Sequence, residues 1–154
     1  MPDAKVITVS DGVVDGVRGD RSGAALASRL GEAGFDVIER LVTPDGASEV
    51  AAALRGATAG FAGLVVTTGG TGFGPRDLTP EGTGLVLERQ APGLAEAMRL
   101  VNPLGRLSRG LAGTVGQSLV LNTPGSTSGS VECLDAVLDV LPHALDLMTG
   151  GRPH

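Results

Sequence analysis

Hydrophobic and polar positions follow two alternating patterns along most of the chain. Short, continuous apolar runs are typical of strands that are buried on both faces of a sheet, and they lie at residues 6–9, 35–42, 62–68 and 118–122. Between them, apolar residues recur three or four positions apart, as they do in helices. Because this order builds strand-helix-strand units, we predict a three-layer α/β/α sandwich with a mostly parallel sheet.

The predicted helices are marked by apolar spacing and by residues that favour helix ends. Ser22 is a suitable cap for a helix in which Leu26 and Leu30 share one face. The run Thr79-Pro80-Glu81 combines a cap, a proline and an acid, which together indicate a helix start. Two further helical faces are predicted from Val50 with Leu54 and from Leu94, Met98 and Val101.

The longest helical pattern lies near the C-terminus. Apolar residues spaced by three and four over 131–148 predict one long amphipathic helix, and Pro142 should kink it because proline lacks a backbone N–H. Residues 150–154 are expected to form a disordered tail. No internal repeat or linker interrupts the chain, so we expect residues 1–154 to form a single domain.

Charge and composition narrow the possible partners and location. A net charge of −5 and only three aromatic residues argue against nucleic-acid binding and favour a small molecule. One cysteine, Cys133, excludes an intramolecular disulfide, and no apolar run approaches the length of a membrane span. We therefore expect a reduced, cytoplasmic protein without membrane association. Lys5 is the only lysine, which excludes a phosphate-binding GK[ST] loop.

The candidate chemistry follows the predicted strands. They end in VSDG (9–12), TPDG (43–46), TTGGTG (67–72) and NTPGS (122–126). Since ligands bind beyond the carboxyl ends of parallel strands, the four turns should meet in one pocket. Backbone N–H groups of a glycine-rich turn can form a nest for anions, so TTGGTG is predicted to bind a phosphate or carboxylate. Pro75 stands where a dinucleotide-binding motif needs its third glycine, which disfavours a nicotinamide dehydrogenase.

Asp45 and Asp77 lie in two of the loops at the carboxyl ends of the predicted strands, one after the second strand and one after the third. Two carboxylates beside a phosphate-binding turn, without a lysine, suit Mg²⁺ that is held through phosphate oxygens and water. Each acid also has a structural alternative: Asp45 as a helix N-cap and Asp77 as part of an Asx turn.

Other polar residues are weaker candidates. Arg76, Arg106 and Arg109 either steer an anionic ligand or are solvated surface charges. Cys133 and His143 are expected to have structural roles.

The run TTGGTGFGPRDLTPE (67–81) closely resembles the signature of the MogA/MoaB family of molybdenum cofactor biosynthesis proteins. Other blocks resemble that family in the same order, over about residues 5–148: VSDG (9–12), DRSG (20–23), TPDG (43–46), QAPGLAEAMR (90–99), LSRGLAG (107–113) and NTPGS (122–126).

This resemblance implies a molybdopterin adenylyltransferase, an Mg²⁺-dependent nucleotidyltransferase. The enzyme would transfer AMP from ATP to the molybdopterin phosphate and release pyrophosphate. By resemblance, Asp45 and Asp77 are the catalytic residues and support the metal. The resemblance also implies a homotrimer and hand-over of the product to a molybdate-insertion protein. The substrate-binding residues that it implies are Ser10, Asp11, Thr68, Gly69, Gly70, Thr71, Gly72, Pro124, Gly125 and Ser126.

One block departs from the family pattern. Relatives often carry a lysine shortly after the PGS turn, where this chain has Ser128 or Gly129 in TPGSTSG. Arg106 or Arg109 are candidates to replace the missing charge. The departure also keeps open a second hypothesis, a non-catalytic molybdopterin-binding or carrier protein of the same pathway.

Overall fold

The sheet is built from short strands that lie close to the predicted apolar runs. In the computed structural model, which describes residues 1–151, the strands are β1 (Asp3–Val9), β2 (Asp36–Thr43), β3 (Gly63–Thr68), β4 (Arg89–Gln90), β5 (Ala112–Val115) and β6 (Ser118–Thr123). They form one sheet in the order β2-β1-β3-β6-β5-β4. The four strands predicted from sequence are parallel neighbours, β2-β1-β3-β6.

Two strands were not predicted. β5 pairs antiparallel with β6, and the two-residue strand β4 pairs antiparallel with β5 at the end of the sheet. Neither carries a strand pattern of its own, since β5 reads AGTV and β4 reads RQ. The β5–β6 hairpin turns at Gly116, whose φ of 57° is accessible to glycine at little cost.

Helices cover both faces of the sheet, which confirms the three-layer arrangement. They are α1 (Asp11–Val14), α2 (Arg21–Glu32), α3 (Ala47–Thr58), α4 (Thr79–Gly84), α5 (Pro92–Leu100), α6 (Thr127–Asp135) and α7 (Leu141–Met148), with a 3₁₀ helix at Pro103–Leu107. α2, α5, α6 and α7 share one apolar cluster with the sheet, and α3 packs in a second cluster on the opposite face. None of the described helices is long and apolar enough to span a bilayer.

Alternation along each strand divides the core between these two faces. Val6, Leu64 and Leu121 are buried on the α2 side, whereas their neighbours Val65 and Val120 are buried on the α3 side. Because successive side chains of a strand point to opposite faces, a strand covered on both sides must be apolar at nearly every position. β3 is buried throughout, which explains why its apolar run was the clearest in the sequence.

Two predicted helix starts need correction. α2 begins at Arg21, and its N-cap is Asp20, whose carboxylate accepts a hydrogen bond from the Gly23 N–H at 3.1 Å; Ser22 already lies inside the helix. α4 begins at Thr79 as predicted, but Thr79 is not its cap. The Thr79 hydroxyl donates to the Gly69 carbonyl instead, at 2.9 Å. The cap at Thr79 was misassigned because a tertiary contact takes its hydroxyl, and the cap at Ser22 because Asp20, two residues earlier, caps the helix.

The long C-terminal helix is also corrected. Residues 136–140 form turns, so the apolar stripe is shared by two helices, and Pro142 lies in the first turn of α7 rather than at a kink. Proline is well tolerated there because the first N–H groups of a helix have no internal acceptor. In the predicted tail, the Gly151 N–H donates to the Asp146 carbonyl at 2.8 Å and so continues the end of α7. Residues 152–154 of that tail lie outside the described residues.

The strand order creates a crevice above β1 and β3. From β1 the chain crosses through α2 to β2 on one side, then returns through α3 to β3 on the other side of β1. The connection that leaves the carboxyl end of β1 runs to β2, whereas the one that leaves the carboxyl end of β3 runs to the opposite side of the sheet, toward β4, so the two diverge between these central strands. In open α/β sheets this point is where ligands bind.

Candidate functional site

A cleft of about 990 Å³ occupies this crevice. All four turns that follow the predicted strands contribute to it: Ser10 after β1, Asp45 after β2, residues 69–72 after β3 and residues 124–126 after β6. The structure therefore brings together the segments that the sequence placed at the carboxyl ends of the sheet. Of the substrate-binding residues implied by the resemblance, all but Asp11 line this cleft.

The glycine-rich turn after β3 has a conformation that requires glycine. Gly69 and Gly70 have φ values of 103° and 70°, and a Cβ at these positions would collide with the Val9 carbonyl and the Thr79 hydroxyl, respectively. Thr79 holds the turn by donating its hydroxyl to the Gly69 carbonyl and its N–H to the Gly70 carbonyl, at 2.9 and 3.0 Å. These bonds keep both carbonyl groups engaged with the protein.

The amide groups of the same turn are left available. Among the residues that the structure describes, the N–H groups of Gly70, Thr71 and Gly72 have no hydrogen-bond acceptor. Three successive N–H groups beside a cleft form a partial positive charge that suits an anion. The turn can thus bind a phosphate or carboxylate through the main chain alone.

Arg109 fixes the far side of this turn. Its side chain donates to the carbonyls of Gly72 and Asp77, at 2.8 and 2.5 Å, and its N–H donates to the Thr71 carbonyl at 2.9 Å. It also forms an ion pair with Glu81 at 2.7 Å. The bond from Arg109 lowers the pKa of Glu81, and Glu81 raises that of Arg109. Arg109 is therefore a structural support of the glycine turn, and it does not line the cleft.

The predicted acid pair lies on the two flanks of the glycine turn. Asp45 Oδ1 is 3.4 Å from the position of a Cβ built on Gly70, and Asp77 Oδ2 is 3.0 Å from one built on Gly72. Both aspartates line the cleft. An alanine at Gly72 would thus press against Asp77, whereas one at Gly70 would be in ordinary contact with Asp45.

Asp45 is not a helix N-cap, and Asp77 does not form an Asx turn. The N-cap of α3 is Gly46, and it lacks a side-chain capping bond. Asp45 Oδ2 instead accepts from the Asp11 N–H at 2.9 Å. Asp77 Oδ2 accepts from the preceding Gly74 N–H at 2.8 Å, whereas an Asx turn would use an N–H that follows the aspartate.

The donor set fits Mg²⁺ that is held in part by a substrate. No group of three or more metal-binding side chains occurs within residues 1–151, so these residues offer no all-protein cage. In the same part of the chain, Oδ1 of Asp45 and Oδ1 of Asp77 have no hydrogen-bond partner. Mg²⁺ commonly takes one or two carboxylates and completes its shell with phosphate oxygens and water.

Asp11 makes a different contribution from the other predicted residues. Its carboxylate forms a two-point ion pair with Arg76, at 2.8 and 3.1 Å, and it also accepts from the Asp45 N–H at 3.1 Å. The bond from Arg76 lowers the pKa of Asp11 below its usual 3.8. The Nη2 atom of the Arg76 guanidinium also donates to the Asp45 carbonyl at 2.9 Å. The sequence showed Asp11, Asp45 and Arg76 in three separate blocks, without a signal that they meet.

The turn after β6 is held by hydroxyl groups. Ser126 caps α6 by accepting from the Gly129 N–H at 3.1 Å, and the Thr68 hydroxyl donates to the Pro124 carbonyl at 2.8 Å. A Cβ at Gly129 would collide with Ser126 Oγ. A side chain at position 129 would therefore displace the Ser126 hydroxyl that caps α6.

Buried Asn122 joins the strands beneath the cleft. Its amide donates to the hydroxyls of Thr67 and Thr83, at 2.9 and 3.0 Å, and its oxygen accepts from the Leu111 N–H at 3.0 Å. All of its side-chain hydrogen-bonding groups are thus paired without water, as buried polar groups require. Sequence reasoning included Asn122 only as the end of a strand.

The basic residues of the cleft differ from those expected. Arg106 donates to the Pro103 carbonyl at 3.0 Å and, like Arg109, does not line the cleft. Arg18, Arg21 and Arg99 do line it. Arg99 donates to the Gly110 carbonyl at 2.7 Å, whereas Arg18 and Arg21 form no ion pair with any described residue. The signal that could have found them is the charge-rich loop that ends in DRSG.

One wall of the cleft is apolar, which the sequence analysis did not anticipate. It consists of residues from α5, from its C-cap and from the following 3₁₀ helix: Met98, Val101, Leu104 and Leu107. Cys133 also lines the cleft, and its thiol donates to the Met98 carbonyl at 3.5 Å. Burial raises the pKa of this thiol, which favours the unreactive protonated form.

The fold and the cleft together define an α/β domain with a cleft suited to an anionic small molecule at the crevice of a parallel sheet. Residues 5–143 match the family model described as "Probable molybdopterin binding domain". The chain belongs to this family, the MogA/MoaB family of molybdenum cofactor biosynthesis proteins.

Relatives and solved structures agree with this assignment. A molybdopterin adenylyltransferase of Helicobacter pylori is 36% identical over 152 residues, which are 94% of this chain and 86% of that protein. The crystal structure of the molybdopterin biosynthesis enzyme MoaB from Thermus thermophilus is 45% identical and superposes with a TM-score of 0.91, covering 99% of each chain. The molybdenum cofactor synthesis protein cinnamon of Drosophila melanogaster is 38% identical over 150 residues, but the chain spans only 25% of its length.

Proposed function

We propose that this protein is a molybdopterin adenylyltransferase that transfers AMP from ATP to the molybdopterin phosphate and releases pyrophosphate. The observation that carries the proposal is the position of Asp45 and Asp77 beside a glycine turn in which three N–H groups have no acceptor within residues 1–151. Nucleotidyl transfer depends mainly on alignment of the reacting groups and on neutralisation of phosphate charge. The cleft offers both kinds of group at one place.

The main-chain amides of Gly70, Thr71 and Gly72 would bind phosphate oxygens of ATP. Because Thr79 and Arg109 hold the carbonyls of this turn, the amides are fixed before the substrate arrives. Donors that are already oriented need not reorganise as charge develops on the phosphate, which favours the transition state. The attacking group is the molybdopterin phosphate, so no covalent protein intermediate is required.

Asp45 and Asp77 would hold Mg²⁺ through the carboxylate oxygens that have no other partner among the described residues. When bound, the ion supplies positive charge to the triphosphate and aids departure of pyrophosphate. The protein's own share is to fix the two acids: the Asp11 N–H orients Asp45, and the Gly74 N–H orients Asp77.

The molybdopterin phosphate would be bound by the arginines of the cleft. Arg18 and Arg21 line it without an ion pair among the described residues, and Asp20 between them is already engaged by Arg40 at 2.8 Å. These arginines therefore retain charge for an anionic substrate in a chain that lacks the lysine of its relatives. The apolar wall that contains Met98 would contact the uncharged part of the pterin.

Pyrophosphate release tests the proposed reaction. Purified protein is incubated with molybdopterin, ATP and MgCl₂, and pyrophosphate is measured with and without the pterin. Release that needs both substrates and the metal supports the enzyme, whereas release independent of the pterin would indicate a different reaction.

A non-catalytic molybdopterin carrier is the second candidate, and the TPGSTSG turn is the observation that favours it. Ser128 or Gly129 stands where the family resemblance implies a lysine, and a side chain at Gly129 would displace the Ser126 hydroxyl. Binding of molybdopterin without any pyrophosphate release would support the carrier and exclude the transferase.

The remaining expectations are proposals of the same kind. We propose that residues 1–154 act as a single domain, assemble as a homotrimer in the cytoplasm and pass the product to a molybdate-insertion protein. Light scattering of the purified protein measures the assembly state directly, and a monomer at micromolar concentration would contradict the trimer.

A further inference from the structure

The loops that carry the two candidate acids are joined by one arginine. Arg76 precedes Asp77 in the chain, yet its guanidinium reaches the loops after β1 and β2. It makes three hydrogen bonds there: two to the Asp11 carboxylate, at 2.8 and 3.1 Å, and one to the Asp45 carbonyl, at 2.9 Å. A single side chain thus spans three of the turns at the carboxyl edge of the sheet.

Asp11 completes the connection in the opposite direction. Its N–H donates to the Asp45 carboxylate at 2.9 Å, and its carboxylate accepts from the Asp45 N–H at 3.1 Å. Asp45 is therefore held at its side chain, its N–H and its carbonyl by the Asp11–Arg76 pair. Neither Asp11 nor Arg76 lines the cleft, so both can act without touching a ligand.

We propose that the Asp11–Arg76 pair is a positioning device that sets the placement of Asp45 relative to Asp77. The value of this placement for catalysis rests on the proposed function. Whether the Asp11–Arg76 pair holds Asp45 in place can be tested without it. Asp11, which the resemblance implies as a substrate ligand, acts through Asp45 instead. Arg76 acts through its fork geometry, because a planar guanidinium can bond Asp11 at two points and reach the Asp45 carbonyl at once.

The main competing explanation is that Arg76 only supplies positive charge to the cleft. Its side chain is 62% exposed, and an ordinary surface ion pair contributes little to stability. Replacement by lysine separates the two roles, since lysine keeps the charge but cannot form the fork. Arg29 offers a matched control: it forms an ion pair with Asp135 at 2.7 Å, away from the cleft.

Amide hydrogen exchange of the ligand-free protein tests whether Arg76 holds the loops that contain Asp11 and Asp45. In R76K and R76Q we expect the peptides covering residues 9–14 and 43–46 to exchange about tenfold faster, because the bonds at Asp11 and Asp45 open more often. R29Q should leave both peptides unchanged. Unchanged exchange in R76Q would overturn the proposal, whatever happens to activity.

Mg²⁺-dependent ATP binding, measured by calorimetry, tests the consequence for the site. R76K, R76Q and D11N should each weaken ATP binding in the presence of Mg²⁺ by about tenfold, and the double variant D11N/R76Q by no more than either single variant, as expected for one coupled unit. Wild-type affinity in R76K would overturn the proposal in favour of simple charge. If the wild-type protein releases no pyrophosphate, the proposed function fails, but the exchange experiment still decides the positioning role.

Discussion

Asp77 shows how one side chain can serve both the local backbone and a ligand. One of its carboxylate oxygens accepts from the Gly74 N–H at 2.8 Å, and the other has no partner among the described residues. Asparagine can still accept the bond from Gly74 but carries no charge. The substitution therefore separates the proposed metal role from the local fold.

We expect D77N to lower the rate of pyrophosphate release at least about 100-fold, because the proposed Mg²⁺ loses one of its two carboxylates. The melting temperature should stay within about 2 °C of the wild type, since the turn retains its hydrogen bond. Steady-state kinetics and calorimetry measure the two quantities. D139N, which changes an exposed acid in the turn between α6 and α7, is the control. Normal turnover in D77N would refute the metal role.

Arg18 belongs to the residues that the sequence analysis did not select. We expect R18Q to raise the KM for molybdopterin about tenfold, which corresponds to one charge-assisted hydrogen bond, with little change in the KM for ATP. R55Q, on the exposed side of α3, should change neither value. An equal effect of R18Q on both substrates would place Arg18 at the nucleotide instead.

The role of a single residue could be predicted only where the adjacent sequence showed which part of the fold the residue occupies. Asp45 and Asp77 were selected because each follows a strand, and strand ends can be recognised locally. The role of Arg109 could not be predicted, since its acceptors at Gly72 and Asp77 lie more than 30 positions away in the chain. For the same reason, Arg106 and Arg109 were proposed for a charge that Arg18 and Arg21 are better placed to supply.

The glycine turn after β3 is the element on which the site depends most directly. Gly70 has a φ of 70° and contacts Thr79, whereas Gly16 has a similar φ of 75° with no atom within 4 Å of a built Cβ. The two positions therefore form a matched pair for alanine substitution. Only at Gly70 does steric overlap add to backbone strain.

We expect G16A to lower the free energy of unfolding by about 1 kcal/mol, the usual cost of a left-handed conformation for alanine. G70A should cost about 3 kcal/mol or more, because Thr79 must also move and release the Gly69 carbonyl. Urea unfolding followed by circular dichroism measures both values. Equal losses in the two variants would show that the Thr79 contact is easily relieved.

Elements were predicted correctly where their pattern was long or strongly apolar. The four parallel strands satisfied this condition, but β4 and β5 did not, because the pairing of β5 with β6 and of β4 with β5, rather than their own composition, makes them strands. The stripe over 131–148 has helical spacing throughout, yet residues 136–140 form turns between two helices. Apolar spacing shows which side of a segment faces the core, but it does not show whether the backbone is continuous.

At the scale of the whole molecule, the ion pair between Arg109 and Glu81 links α4 to the segment that precedes β5. The bond from Arg109 holds the pKa of Glu81 in the folded state below its usual 4.5. A lowered carboxylate pKa contributes stability that is complete above the unfolded-state pKa and is lost as the pH falls through the folded-state pKa. This contribution should therefore be present at neutral pH and disappear in acid.

We expect E81Q to be less stable than the wild type above pH 4.5 and to approach it below that pH, where the wild-type Glu81 also becomes protonated. Urea unfolding at several pH values between 3 and 7 measures the difference between the two proteins. A difference that stays constant over this range would mean that the charge of Glu81 does not matter.

The amino-acid sequence by itself determined the layered α/β class, the parallel strands and the turns that follow them. These features depend on apolar periodicity and on glycine, proline and hydroxyl residues, which act over a few neighbouring positions. Only the tertiary structure decided that Arg76 bonds Asp11, that Arg109 supports the glycine turn and that Arg18 lines the cleft. Such contacts join residues that are distant in the chain, and they form because the packing of two helical layers aligns the strand ends at one edge of the sheet.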